Sequence, residues 1–184
     1  MKKLHLLFIN LFSCLLLLSN NSFARDSSYL NSVIKNPVVQ GSGLLTFWGF
    51  HIYDAKLFRG SSLTSPEFAL NIQYQKSFTG SAIANTTAEE MINLGVNQTQ
   101  ANAWAQELKT FMPNVNSGQV LTAAYQPAEG TIFFYEGKRI AQIPGRSFAK
   151  AFFGIWLDVN TREPKLRSEL LGSACPPPLI SETC

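Results

Sequence analysis

The sequence predicts an α+β domain in which helices cover one face of an antiparallel β-sheet, and three patterns along the chain support this prediction. Segments rich in β-branched and aromatic residues lie at residues 44–74 and again at 119–143. Two segments with helical spacing lie between these groups, and two more follow the last strand. This order of elements favours one domain with its helices gathered on a single face of the sheet.

The first strands are predicted from residues 44–58 and 68–74. The first stretch is interpreted as one long strand or two successive strands, because its β-branched and aromatic residues alternate only roughly. The second stretch alternates more cleanly, which predicts a half-buried strand. Four of its side chains share one face: Phe68, Leu70, Ile72 and Tyr74.

The next two elements are predicted to be helices. Thr87 and Glu90 form a capping-box pattern, apolar residues follow, and Gly95 ends the segment in the usual C-terminal place. The second helix is predicted to begin at Asn97 and to run until Pro113 stops it. Its apolar residues recur at helical spacing and predict a buried face.

Three strands and two helices complete the predicted domain. The strands are expected at residues 119–125, 131–135 and 138–143, the last two joined by a tight hairpin at Glu136-Gly137. The helices are expected at residues 146–157, after the Pro144-Gly145 turn, and at 163–171, ending at Gly172.

The N-terminal segment has the pattern of a secretory signal peptide. Two lysines precede an apolar run that is short for a bilayer span, and small residues precede a predicted cleavage between Ala24 and Arg25. The alternative is a retained membrane anchor. Cleavage predicts a periplasmic or secreted protein with no stable membrane span. The chain then divides into a signal peptide (1–24), a lead-in (25–37), a domain (38–172) and a proline-rich tail (173–184).

Export changes the interpretation of the cysteines. Cys14 leaves with the signal peptide, whereas Cys175 and Cys184 remain in a compartment that permits disulfides. They could close a small loop across the proline-rich tail, which would add modest stability. The alternative is a frayed tail with free or intermolecularly paired thiols.

Composition and motifs exclude several classes of function. The net charge is +3, and Lys2 and Lys3 leave with the signal peptide, so the mature chain is nearly neutral and nucleic acid is not an expected partner. No nucleophile elbow or complete dinucleotide fingerprint occurs. His51 and the two tail cysteines cannot supply the spaced ligands of a zinc site. We therefore expect no cofactor and no metal. Fourteen Phe residues instead indicate a large core or an apolar pocket.

Three stretches carry a resemblance to a known family: residues 43–58, residues 70–74 and residues 143–157, which end in Gly-Ile-Trp-Leu. Together they resemble the bacterial chalcone isomerase-like family, over about residues 38–171. The resemblance implies an open-faced β-sandwich of the chalcone isomerase type, in which a large antiparallel sheet packs against a helical layer and leaves an apolar cleft between them.

The resemblance does not extend to the isomerase residues. True chalcone isomerases use an arginine from an early strand, and a tyrosine and an asparagine around a helix start. Here the tyrosine position falls on Ile83, the asparagine position falls on Glu90, and residues 40–57 contain no arginine. Ile83 cannot donate a hydrogen bond to a developing enolate, and a carboxylate at Glu90 would repel one. These departures favour a non-catalytic protein, although whether it is an enzyme stays open.

Relatives in this superfamily that lack the isomerase residues include fatty-acid-binding proteins, in which an arginine and a tyrosine grip the carboxylate. The resemblance therefore implies a small apolar acid as ligand. The candidate polar contacts are Thr46, Tyr53 and Arg146, and the candidate apolar lining is Trp48, Phe152 and Trp156. The alternative is that the apolar side chains are plain core and the polar ones are solvated.

Two other functions stay open at this point. One is a structural or partner-binding envelope protein, in which the bulky aromatic residues fill the cleft. The other is an intramolecular lyase or isomerase with a divergent active site. The volume of the cleft separates the first from a ligand carrier, because a ligand needs an open pocket.

Overall fold

The computed structural model describes residues 27–62 and 65–181. The predicted signal peptide, with its cleavage between Ala24 and Arg25, lies outside the described residues, and so does Cys184. Among the residues that are described, no helix is both long enough and apolar enough to cross a bilayer.

Six strands form one sheet in the order β1 to β6, and every neighbouring pair is antiparallel. The strands are β1 (Val38–Phe47), β2 (Phe50–Arg59), β3 (Phe68–Tyr74), β4 (Val120–Gln126), β5 (Gly130–Tyr135) and β6 (Lys138–Ile143). The helices are α1 (Gly80–Asn93), α2 (Gln98–Lys109), α3 (Arg146–Leu157) and α4 (Pro164–Leu171), and a 3-10 turn at Ser28–Ser32 precedes the sheet. The predicted α+β class, an open antiparallel sheet with a helical layer, is confirmed.

The stretch predicted as one or two strands is two. Trp48 and Gly49 join β1 to β2, with φ angles of 52° and 79°. Two successive positive φ values are the signature of the tight hairpin turn that matches the twist of paired strands. Glu136 and Gly137 make a similar turn between β5 and β6, with φ angles of 49° and 77°, as predicted.

The first helix begins earlier than predicted. Thr79 caps it by accepting a hydrogen bond from the backbone N–H of Ala82, at 3.1 Å, and Gly80 is its first residue. The capping-box prediction at Thr87 is wrong, because Thr87 lies inside the helix and its hydroxyl donates to the carbonyl of Ile83, at 2.8 Å. A threonine hydroxyl satisfied by the preceding turn is compatible with a helix interior.

The second helix begins as predicted and ends sooner. The Asn97 side chain accepts hydrogen bonds from the backbone N–H groups of Thr99 and Gln100, at 2.9 and 3.3 Å. The helix ends at Lys109, before the predicted stop at Pro113.

The main core lies between the sheet and the helices. On the sheet side, β2 contributes Ala55 and Leu57 to this core, while the next residue, Phe58, faces the opposite side. There the N-terminal segment packs Leu30 and Ile34 over part of the sheet, in a second and smaller cluster. The lead-in is thus packed against the sheet over residues 29–34.

The C-terminal tail is also packed. Leu179 is buried in the main core, and the carbonyl of Cys175 accepts a hydrogen bond from the buried Arg59 guanidinium, at 3.5 Å. Cys175 is disulfide-bonded. The tail is therefore not frayed over the residues described, and its pairing with Cys184 stays a prediction because Cys184 lies outside them.

Candidate functional site

A cavity of about 470 Å³ lies between the sheet and helices α1 and α3. This volume is within the range of about 300–1,000 Å³ that small-molecule sites occupy. The cleft is open, so bulky side chains do not fill it. The apolar lining residues from the sheet include Leu45, Phe47, Leu70, Ile72, Ala123 and Phe133.

A local irregularity in β2 shapes the sheet wall of the cavity. The pairing with β1 shifts by one residue, since Leu45 pairs with Tyr53 whereas Thr46 pairs with His51, which leaves Ile52 as the extra residue. A bulge of this kind changes the direction of side chains. Ile52 and Tyr53, although consecutive, both line the cavity as a result.

The helical wall comes from one face of α1 and one face of α3. Ile83, Thr87 and Glu90 follow the spacing of a helical face, and all three line the cavity. From α3, Phe152 and Trp156 lie one turn apart with ring centroids separated by 5.4 Å. The wall therefore combines aromatic surface with a few polar groups.

The position of the Tyr53 hydroxyl in the cavity wall is fixed by a hydrogen bond. The hydroxyl accepts a hydrogen bond from the indole Nε1 of Trp156, at 2.9 Å. Burial raises the pKa of Tyr53 well above its usual value, the hydrogen bond from Trp156 opposes this increase, and the carboxylates of Glu163 and Glu90 add to it. The hydroxyl therefore keeps its proton near neutral pH. Because its oxygen already accepts from Trp156, this proton is available to a ligand oxygen.

Three charged side chains lie at the mouth of the cavity. Arg162 donates a hydrogen bond from Nη1 to Oε1 of Glu90, at 3.2 Å. The neighbouring carboxyl of Glu163 also lines the cavity. Its pKa is raised by partial burial and by the Glu90 carboxylate, and Arg162 opposes this increase.

Local hydrogen bonds hold the loop that carries these charges. The Thr161 hydroxyl donates to the carbonyl of Ile155, at 2.5 Å, and accepts from the backbone N–H of Glu163, at 3.2 Å. Thr161 is itself buried. The loop thus fixes the positions of Arg162 and Glu163 relative to the end of α3.

Of the six residues predicted to bind a ligand, Tyr53, Phe152 and Trp156 line the cavity and the other three do not. Thr46 is exposed and lies on β1 between two residues that do line it, so strand alternation directs Thr46 to the other face. Thr46 is therefore not part of the cavity lining, and its role as a ligand contact stays a prediction.

Trp48 and Arg146 also lie outside the cavity lining. Trp48 occupies the β1–β2 turn and is 86% exposed, so it belongs neither to the cavity nor to the core. Arg146 begins α3 and borders a separate groove with Leu94 and Trp104. The end of α3 that borders the cavity is the opposite one, where Trp156 lies.

The charges at the mouth were not predicted as a site. Arg162 and Glu163 lie in a loop, for which periodicity gives no direction, and Glu90 had been assigned to a helix start. A helix begun at Gly80 would have placed Ile83, Thr87 and Glu90 on one face. That spacing was the available signal.

The two positions aligned with isomerase residues, Ile83 and Glu90, do lie in the cavity. No arginine of the early strands β1 and β2 lines the cavity. Arg59 is on the same face of β2 as Tyr53 but six residues further on, about 20 Å along the strand. Its guanidinium donates to the side chain of Gln40, at 3.2 Å. No group of His, Cys, Asp and Glu within residues 27–62 and 65–181 is arranged to hold a metal ion.

A six-stranded antiparallel sheet, one helical layer and an apolar cavity between them define a protein of the chalcone isomerase type. The chalcone isomerase-like family matches residues 33–172. The chain therefore belongs to the chalcone isomerase-like family, as the sequence resemblance predicted.

Two individual proteins are similar to the chain. An uncharacterized protein of Haemophilus influenzae is 28% identical over 129 residues, which cover 68% of this chain and 63% of that protein. The match thus spans less than two thirds of the relative's length. The crystal structure of a fatty-acid binding protein of Arabidopsis thaliana has a TM-score of 0.59 and 8% sequence identity, and the match covers 74% of this chain and 87% of that one. At this identity the similarity shows a shared fold.

Proposed function

We propose that the protein binds a small apolar ligand, such as a fatty acid, in the cavity between sheet and helices, and that it does so without catalysing isomerisation. The observation that carries the proposal is an open, largely apolar cavity with the Tyr53 hydroxyl as a buried donor. Its shared fold with a fatty-acid binding protein supports the same ligand class.

The polar end of the ligand lies at the mouth in this proposal. Tyr53 and Arg162 are donors that line the cavity together with the carboxylates of Glu90 and Glu163. Arg162 takes the role that was expected of Arg146. The hydrocarbon chain then extends along the sheet toward Ile72, where it exchanges water for apolar contacts.

The absence of catalysis is inferred from the two cavity positions that differ from the isomerase pattern. The Ile83 side chain has no polar hydrogen to donate in a hydrogen bond, and the Glu90 carboxylate already pairs with Arg162. Neither can stabilise a developing enolate in an enone cyclisation. Turnover of a chalcone to a flavanone above background by the mature protein would contradict this part of the proposal.

Export to the periplasm or the medium is a separate proposal, and the N-terminal pattern supports it. The test is expression of the full chain in a bacterial host, followed by fractionation and mass measurement. We expect a mature form that begins at Arg25. Retention of the intact chain in the membrane fraction would favour the anchor alternative.

The ligand proposal is tested by mass spectrometry of an organic extract from natively purified protein. We expect a stoichiometric apolar acid. A variant tests whether the cavity holds this acid. Ile83→Trp places an indole in the cavity and should abolish retention of the ligand. Asn85→Trp adds the same group to the exposed side of the same helix and should not. If both variants lose the ligand equally or keep it equally, the cavity is not where the ligand binds.

A further inference from the structure

The tip of the β1–β2 hairpin exposes three aromatic side chains together. Phe47 is 63% exposed, Trp48 86% and Phe50 62%, and the rings of Phe47 and Trp48 lie 6.1 Å apart between centroids. Scattered apolar side chains are normal on a protein surface, whereas a contiguous aromatic group indicates a binding surface. This aromatic tip is the most concentrated apolar feature on the surface described.

The backbone at the tip adds a second observation. Trp48 has a φ angle of 52°, in the left-handed region. Hairpin turns of this type usually place Asn, Asp or Gly there, because other residues are strained by about 1–2 kcal/mol. The fold accepts this strain at a position where the indole contacts almost nothing of the protein. That combination suggests that the indole has a contact outside the chain.

A positive charge accompanies the aromatic side chains. The ammonium of Lys76 lies over the ring of Phe50, 5.6 Å from its centroid. The acidic residue of β2, Asp54, points its two carboxylate oxygens at His51, at 3.0 Å, and at Gln75, at 2.6 Å. Trp and Phe with a neighbouring cation are the composition of segments that enter the interface of an anionic bilayer.

The tip is continuous with the cavity. Phe47 belongs to both, because it lines the cavity and is also part of the exposed aromatic group. A surface that entered the lipid interface would therefore bring the edge of the cavity to the same level. Such contact would let an apolar ligand move between bilayer and cavity without crossing water.

We propose that the aromatic tip, Phe47, Trp48 and Phe50 with Lys76, docks the protein on the surface of a membrane that contains anionic lipid. The exchange of ligand at that surface rests on the proposed function, whereas the docking itself does not. Trp48 and Phe50 supply the insertion, and Lys76 supplies attraction to the lipid head groups.

The experiment is co-sedimentation of the mature protein with vesicles made of equal parts phosphatidylethanolamine and phosphatidylglycerol. The test variant is Trp48→Ser with Phe50→Ser, which leaves Phe47 and the cavity lining intact. The control is Val159→Ser, because Val159 is 73% exposed in the α3–α4 connection, away from the tip. We expect the affinity of the double variant for vesicles to fall about tenfold or more, and that of the control to equal the wild type.

The charge is tested separately. Lys76→Glu should weaken binding to the anionic vesicles and leave binding to pure phosphatidylcholine vesicles unchanged. If the wild type stays in the supernatant, or if the double variant sediments like Val159→Ser, the docking proposal is wrong.

Ligand binding in lipid-free solution separates this proposal from the preceding one. Titration with a fluorescent fatty acid should give the same affinity for the double variant and the wild type, because neither substituted residue lines the cavity. If the wild type sediments with vesicles but binds no fatty acid, the docking proposal stands and the proposed ligand binding in the cavity is wrong. A double variant that loses fatty acid binding would show that the tip belongs to the ligand site.

Discussion

The indole of Trp156 donates a hydrogen bond to the hydroxyl of Tyr53 across the edge of the cavity, at 2.9 Å. The two residues lie on α3 and β2, so this contact joins the helical layer to the sheet where the layers separate. It also fixes the direction of the hydroxyl, because the oxygen accepts from the indole and its proton must point elsewhere. A single tyrosine thereby connects the architecture of the fold to its proposed ligand.

Replacing Tyr53 by Phe should weaken ligand binding and destabilise the fold. The variant removes the proposed donor to the ligand, so we expect the affinity for a fatty acid to fall about tenfold. It also leaves the Trp156 N–H without its acceptor, which costs about 1–3 kcal/mol if water does not replace it. Isothermal titration and chemical denaturation measure the two effects.

The control for this variant is Tyr135→Phe. Tyr135 is half-buried at the end of β5, outside the cavity lining, and its hydroxyl makes only a long contact of 3.5 Å with the carbonyl of Asn114. Its loss should leave ligand affinity unchanged. Equal affinities of Tyr53→Phe and the wild type would show that the hydroxyl does not bind the ligand.

The ion pair at the mouth predicts opposite effects for its two members. Arg162→Ala removes the positive charge and should lower the affinity for a fatty acid anion. Glu90→Gln removes the competing carboxylate and should raise it. Arg162 is 65% exposed, so each change should be only about two- to fivefold.

A fatty alcohol of the same chain length should show neither effect, because it carries no charge. The pair of Arg139 and Glu129, exposed at the β5–β6 end of the sheet, provides a matched control, and Arg139→Ala should leave both ligands unaffected. Changes in the same direction for Arg162→Ala and Glu90→Gln would mean that the pair acts through stability of the loop and not through charge.

The layers of this fold were predictable, and half of the site was not. Helical spacing identifies Phe152 and Trp156 because they lie inside a regular element, where the period determines the direction of a side chain. Tyr53 lies beside the irregularity in β2, where alternation alone does not determine that direction. Arg162 lies in a loop whose position depends on local hydrogen bonds that follow no period in the sequence. The turn at Trp48 was not located for a related reason, since the rough alternation over residues 44–58 is compatible with one strand or with two.

Replacing each of two helix glycines by alanine should change the stability of the protein in opposite directions. A Cβ at Gly80 would collide with the carbonyl oxygen of Met112, so Gly80→Ala must displace the connection between α2 and β4. Overpacking of this kind costs about 1–3 kcal/mol. Gly154 lies inside α3, and a Cβ there would meet Leu94 and Asp158 at ordinary contact distances of 3.4 and 3.8 Å.

Gly154→Ala should therefore stabilise the protein by about 0.5–1 kcal/mol, through the higher helix propensity of alanine. Thermal unfolding of the two variants beside the wild type gives the comparison. A stabilising Gly80→Ala would contradict the close approach of α1 to the end of α2.

The last prediction concerns pH and the mouth of the cavity. Partial burial and the Glu90 carboxylate raise the pKa of Glu163, while Arg162 opposes the shift. The folded state therefore takes up this proton at a higher pH than the unfolded state does, and the unfavourable charge is present above the folded pKa and relieved as the pH falls through it. When it is charged, Glu163 also repels a ligand anion. Glu163→Gln should consequently bind a fatty acid more tightly than the wild type at neutral pH.

The difference in affinity between the two proteins should shrink as the pH is lowered and vanish once Glu163 is protonated in the wild type. The ligand for this pH series is an alkyl sulfonate, which stays charged throughout, because a fatty acid would lose its own charge in the same pH range and abolish the difference by itself. Glu89→Gln, on the exposed side of α1, is the matched control and should follow the wild type. A difference between Glu163→Gln and the wild type that stays constant with pH would mean that the carboxyl acts through its shape and not through its charge.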